Sequence, residues 1–178
     1  MSELAADTAA PPACPAGGER ALTAGEVALA RSVFGTAINY AKVTLRRRKW
    51  AFFQPRETTM APRGHLHFHP LASGYCDDFS GAGLLRQGLL IHELTHVWQT
   101  QTRGDWYLVL HRHPFCRYGY SLKPGWGLQK YGIEQQAMIV QHAFWLRNSI
   151  QIAGAPDVRA YDLLVNFPGA DRRCPIQA

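Results

Sequence analysis

"LLIHELTHVWQTQ", residues 89–101, decides how the chain is read. It sets His92, Glu93 and His96 as an HExxH pattern inside an apolar run. On a helix, His92 and His96 project from one face about one turn apart. Two neutral imidazoles can then share one tetrahedral zinc ion. Glu93 is rotated by about 100° from His92. It can therefore reach a metal-activated water as a general base without being a ligand itself. The composition gives roughly 0.01 chance matches to this pattern in a chain of this length. The same three side chains in an apolar helix would cost on the order of several kcal/mol unless something satisfied them.

Working outward, the run extends to a helix from about Ala82 to Thr102, with Ser80 or Asp78 as N-cap and Gly104 as terminator. Leu84, Leu90, Ile91, Leu94, Val97 and Trp98 make it apolar on most faces, so it is expected in the core. Upstream, "LTAGEVALARSVFG" predicts a helix with a capping box of Thr23 and Glu26. Extended segments follow around Val43 and Leu45, and Trp50–Phe53 reads as core. In "GHLHFHP", Leu66 and Phe68 face one way, and His65, His67 and His69 the other. Asp105 to Gln129 has no clear period and reads as a long structured loop. Helices are expected again over about Tyr131–Ala153 and Asp157–Asn166.

With 178 residues, one domain is expected over 21–168, preceded by a disordered Ala/Pro/Gly-rich leader (1–20) and followed by a polar tail (169–178). Apolar residues make up 47% and charged residues 18%, as in an ordinary globular protein. There is no run long enough to span a membrane and no signal-peptide pattern. A cytoplasmic location is the default, with export by a specialised secretion system as the other route. The charge is +6, densest in "LRRRK", Leu45 to Lys49. That run reads as a solvated strand edge or turn, and no nucleic-acid motif or partner is expected. Cys14, Cys76, Cys116 and Cys174 form no CxxC, which excludes a zinc ribbon. Reduced thiols are the default, and a Cys76–Cys116 bridge is left open.

A catalytic zinc site needs a third protein ligand. The metzincin extension would need Gly and His where this chain has Gln99 and Thr102, so that class is excluded. Glu134 in "YGIEQQA" is preferred: a carboxylate opening an apolar helix that must pack on the core. It also suits the helix dipole there. His111, His113 and Asp105 are the rivals.

The order "FFQPRETTMAPRGHLHFHP", "DDFS", "IHELTHVWQ" and then "YGIEQQA" resembles short gluzincin-type, vgr-related peptidases associated with bacterial contractile secretion systems and toxin loci. The likeness covers roughly Leu22 to Gly154. The HExxH is also similar to that of SprT-like DNA-linked proteases, without their cysteine ribbon. The resemblance implies an α+β, zincin-like fold: a small mixed sheet against the HExxH helix and a second long helix carrying the third ligand. It implies Zn²⁺ held by His92, His96 and Glu134, with Glu93 as catalytic base. It implies hydrolysis of a peptide or protein substrate, with "GHLHFHP" as the strand that pairs with it, and a link to a secretion system. Tyr120 and Tyr131 are candidates for stabilising the oxyanion, because their loop joins the two metal helices. Asp77 or Asp78 would orient a ligand histidine. The competing reading is a noncatalytic zinc-containing structural or adaptor component of a secretion apparatus.

Overall fold

The computed structural model describes residues 13–111 and 116–171; His113 and Cys174 lie outside them. The first strand, β1 (Glu19–Ala21), leads into α1 (Ala24–Phe34). Thr23 Oγ accepts from Glu26 N at 3.0 Å, and Glu26 returns the bond to Thr23 N at 2.9 Å. Such a cap stabilises by about 1 kcal/mol. Glu26 does more than cap. It is fully buried, accepts two 2.8 Å bonds from the Arg20 guanidinium, and accepts a third from Phe79 N–H. One carboxylate thus ties β1, α1 and the approach to the central helix.

That tie corrects the expected leader of residues 1–20. From residue 13 the chain belongs to the fold: Cys14 is buried, its N–H donates to Asp77 at 2.8 Å, and Arg47 holds its carbonyl. The Ala/Pro/Gly composition hid this because the partners lie far along the chain. Residues 1–12 and 172–178 lie outside the described residues.

β1 pairs antiparallel with β2 (Thr44–Arg46), which pairs parallel with β3 (Leu66–His67), giving a small mixed three-stranded sheet. Leu45 and Leu66 are register partners and fully buried, with Phe68 in the same core. The basic run is satisfied within the fold. Arg46 and Arg48 pair with Glu19, and Arg47 lies over the Tyr75 ring.

Two expectations fail on this side of the molecule. Trp50–Phe53 is not core: Phe52 is 89% and Phe53 65% exposed. A turn built on buried Gln54 directs them outward. Gln54 accepts from Trp50 N–H and donates to the carbonyls of Thr58 and His67. Nor does β3 offer a free edge for a substrate strand at its centre. Met60 occupies it, exchanging two backbone hydrogen bonds with His67.

The central helix α2 (Leu84–Arg103) runs through the core as its apolar faces require. Its N-cap is Gly83, with no side-chain cap, in place of the expected Ser80 or Asp78. Asp78 instead accepts from Ser80 N–H and Thr23 Oγ–H, closing the preceding turn. The long loop contains a short helix, α3 (Tyr107–His111). α4 (Ile133–Arg147) then packs along α2 more extensively than any other element. It is shorter than the pattern predicted, because Ser149 adopts φ +63°, where a helix cannot continue. Gly88 permits the close approach: a Cβ there would collide with the Trp145 indole nitrogen, which donates to Leu84 O at 3.0 Å. A short α5 (Val158–Asp162), capped by Asp157, completes the fold. Cys14 and Cys76 are thiols, so the Cys76–Cys116 bridge is not formed. Among the described residues no helix is long and apolar enough to cross a membrane.

Candidate metal centre

α2 and α4 run antiparallel: Trp145 reaches Leu84 near one end of the pair, and Gln99 reaches Ile133 near the other. This brings the N-terminal turn of α4 against the middle of α2. There Glu134, fully buried, faces both histidines. Its Oε2 lies 3.4 Å from His92 Nε2 and 3.4 Å from His96 Nε2. Among the described residues, His92, His96 and Glu134 form a group that could hold a metal ion.

The spacing fits zinc. Ligand atoms roughly 2.0–2.1 Å from a tetrahedral ion are separated by roughly 3.3–3.4 Å. The donor chemistry fits as well. Gln99 Nε2 donates to Ile133 O and to Gln136 Oε1, both at 3.0 Å, so its Oε1 must face His96. His96 Nδ1–H donates to that oxygen at 2.8 Å, which leaves a lone pair on Nε2. His92 Nδ1 is paired in the same way with Gln141 Oε1 at 3.2 Å. His96 Nε2 is buried with no hydrogen-bond partner. Burial opposes charge on His96, but the Glu134 carboxylate beside it outweighs that and raises its pKa above the usual histidine value. The field at this point favours a cation.

Glu93 is buried on α2, and its Oε2 has no hydrogen-bond partner. An unpartnered buried carboxylate oxygen costs about 1–3 kcal/mol. Of the sequence-predicted residues, the fold therefore brings His92, His96 and Glu134 together, with Glu93 on the same helix. Two of the three rivals are placed away from the group. Exposed His111 bonds back to Tyr107 O, Asp105 is exposed beyond the end of α2, and His113 lies outside the described residues.

The two tyrosines are engaged elsewhere. Tyr131 OH accepts from Lys123 N–H at 2.8 Å. Tyr120 OH bonds His142 Nδ1 at 2.6 Å and Tyr161 OH at 3.0 Å, and its burial pushes the phenol well above its ordinary range. The tyrosine that lines a cleft with Glu134 is Tyr118, which the sequence reading missed. Asp77 and Asp78 do not orient the histidines; Gln99 and Gln141 do. Gln99 was visible in the sequence, three positions after His96 and so on the same helix face.

No protein-family model matches the chain. It is 41% identical over 156 residues to the type VI secretion system spike protein VgrG2b of Pseudomonas aeruginosa. That alignment covers 84% of this chain and 15% of the relative, so the chain spans a small part of the spike protein's length. Among solved structures it is similar to the effector domain of Pseudomonas aeruginosa VgrG2b, with a TM-score of 0.68 and 36% identity. Here the match covers 87% of both chains. A likeness of that identity over nearly all of both chains is one of descent as well as fold, and the chain belongs to the family of the VgrG2b effector domain.

Proposed function

We propose that the chain is a zinc-dependent peptidase of zincin-like architecture, the effector portion of a type VI secretion spike. The observation that carries the reading is the Glu134 carboxylate oxygen at 3.4 Å from both imidazole nitrogens, with Glu93 buried on the same helix. A zinc ion in that position would supply Lewis acidity toward the scissile carbonyl and lower the pKa of the water of hydrolysis. His92, His96 and Glu134 would hold it, and Gln141 and Gln99 fix the two imidazole tautomers. Glu93 takes the proton of the attacking water on its free Oε2 and delivers it to the leaving amine nitrogen. The peptide bond is cleaved with one water consumed. Export follows from the family relation to a secretion spike, whose name supports delivery from a bacterium.

A noncatalytic adaptor would need the three ligands but not Glu93, and the separating experiment uses that difference. Glu93→Gln is nearly isosteric and cannot act as a base near neutral pH. Wild type and variant should each bind about one zinc. Hydrolysis of a denatured protein substrate should fall by at least about 100-fold in the variant, the usual contribution of a general base. Equal hydrolysis in both, with contaminating protease excluded, removes Glu93 from the role; zinc binding without hydrolysis in either favours the adaptor.

A further inference from the structure

A cleft of about 370 Å³ opens beside the candidate metal centre, and among the described residues Glu134 is its one charged lining residue. Trp50 and Phe53 come from the turn built on Gln54, and Met60 from the segment that covers β3. Leu108 and Val109 belong to α3, and Tyr118 to the loop beyond it. These elements are distant in sequence, and three of the walls are aromatic. The site they form is apolar and adjoins the carboxylate that would hold the ion.

Phe53 is 65% exposed and Val109 40% exposed, while Trp50 is 39% exposed with its edge against the His67 ring at 5.4 Å. Exposed rings of this size are costly in water and stabilise whatever apolar surface covers them. The volume lies near the lower end of small-ligand sites, on the order of 300 Å³, which suits one large side chain with its adjoining backbone. A charged side chain would lose hydration there and, among the described residues, meet only Glu134 as a charged group, one whose charge is committed to the candidate metal centre. Small side chains would leave the aromatic walls uncovered.

We infer that this cleft is the specificity pocket of the enzyme, receiving a large uncharged apolar side chain, aromatic above all, from the residue flanking the scissile bond. This rests on the peptidase reading above. It goes further by assigning a substrate class and by making Trp50, Phe53, Val109 and Tyr118 selectors of substrate. The same contacts explain why a turn held by polar bonds presents its aromatics on the cleft side.

The test separates the pocket from the chemistry by measuring binding as well as turnover. Two zinc-chelating probes, acetohydroxamate and 3-phenylpropanehydroxamate, are titrated calorimetrically into zinc-loaded wild-type protein. The phenyl compound should bind at least about 30-fold tighter, since its ring buries large apolar area. Val109→Trp, which fills the cleft from a half-exposed position, should reduce that ratio to about threefold or less with zinc content and acetohydroxamate affinity unchanged. Phe53→Ala, at an exposed site that folding does not depend on, should reduce it by about fivefold. In parallel, mass spectrometry of a mixed peptide library should place cleavages beside Phe, Tyr, Trp, Leu or Met. Equal affinity for the two probes, no binding of either to zinc-loaded protein, or an unchanged ratio in both variants overturns the pocket. Cleavage that occurs without this preference overturns it too, while leaving the peptidase intact. Preference for the phenyl probe with no peptide cleaved sinks the peptidase reading and with it the assignment of the cleft as a specificity pocket, leaving an apolar ligand site.

Discussion

Gln99 is the most informative residue to perturb, because the fold gives it three jobs at once. It is 2% exposed, its Oε1 accepts from His96 Nδ1–H, and its Nε2 donates to Ile133 O and Gln136 Oε1. Gln99→Leu keeps the volume and removes all three bonds. His96 Nδ1–H and Gln136 Oε1 then lose a buried partner, at about 1–3 kcal/mol each. Ile133 O, in the first turn of α4, keeps its helical role. A loss of about 2–6 kcal/mol in stability is expected. Without its acceptor the imidazole is free to rotate and to place its proton on Nε2, where the lone pair is needed. Zinc affinity should fall about 10–100-fold, or about 1.4–2.7 kcal/mol. Gln99→Glu separates the two effects. A carboxylate still accepts from Nδ1–H, with charge assistance, but cannot donate to Ile133 O or Gln136. That variant should hold zinc within about threefold of wild type and still lose stability. The assays are competition with a chromogenic zinc chelator and urea denaturation. A folded Gln99→Leu protein with unchanged zinc affinity would refute the claim that this glutamine sets the tautomer of His96.

Further outcomes follow from other parts of the structure. Glu134→Ala should lower zinc affinity by at least about tenfold, since two imidazoles alone remain; the same chelator competition reads it. Gly88→Ala should destabilise by about 1–3 kcal/mol, because its methyl meets the Trp145 indole; undiminished stability in urea would mean the two helices are not so closely packed. His67 gives a pH dependence. Burial first, with a smaller push from Arg46 and against the bond to Arg48 O, lowers its pKa from 6.5 to about 4. Between those values the unfolded chain holds a proton that the native chain does not. Its contribution to stability is therefore whole above pH 6.5 and declines as pH falls toward 4, on the order of 2–3 kcal/mol in all. His67→Asn should flatten that part of the urea-midpoint profile, and an identical profile would refute the assignment.

The candidate metal centre is legible in the sequence where its geometry is local. The spacing of His92 and His96 fixes their common face on any helix, so the pattern carried its own meaning. Glu134 needed one more step: a carboxylate in an apolar helix is anomalous, and the anomaly is resolved by its two imidazole neighbours. The orienting glutamines were present in the sequence but unread, because an amide has no preferred partner until the packing of α2 on α4 supplies one. Tyr118, Tyr120 and Tyr131 sit in a loop without a period. Which of the three reaches the cleft depends on contacts with Lys123, His142 and Tyr161, all set by tertiary structure.

The sharpest divergence between sequence and fold is at Trp50–Phe53, and its cause bears on function. Hydrophobic patterning assigns four apolar residues in a row to the interior, because burying each ring gains about 1.5–3 kcal/mol. The fold forgoes most of that gain. Gln54, itself 3% exposed, spends its whole side chain on three main-chain groups of this region, and the turn it closes is stable with its rings outside. Polar bonds inside the turn thus replace the hydrophobic term that would otherwise have pulled the segment inward. The apolar surface is left uncovered beside Glu134, where, in the proposed peptidase, exclusion of water would strengthen the stabilisation of developing charge. In the proposed peptidase, a substrate side chain entering there would cover Trp50 and Phe53 and dry the approach to Glu134 in the same movement. Under the proposed function, binding energy and catalysis would be coupled at this cleft through the aromatic residues that patterning alone had placed in the core.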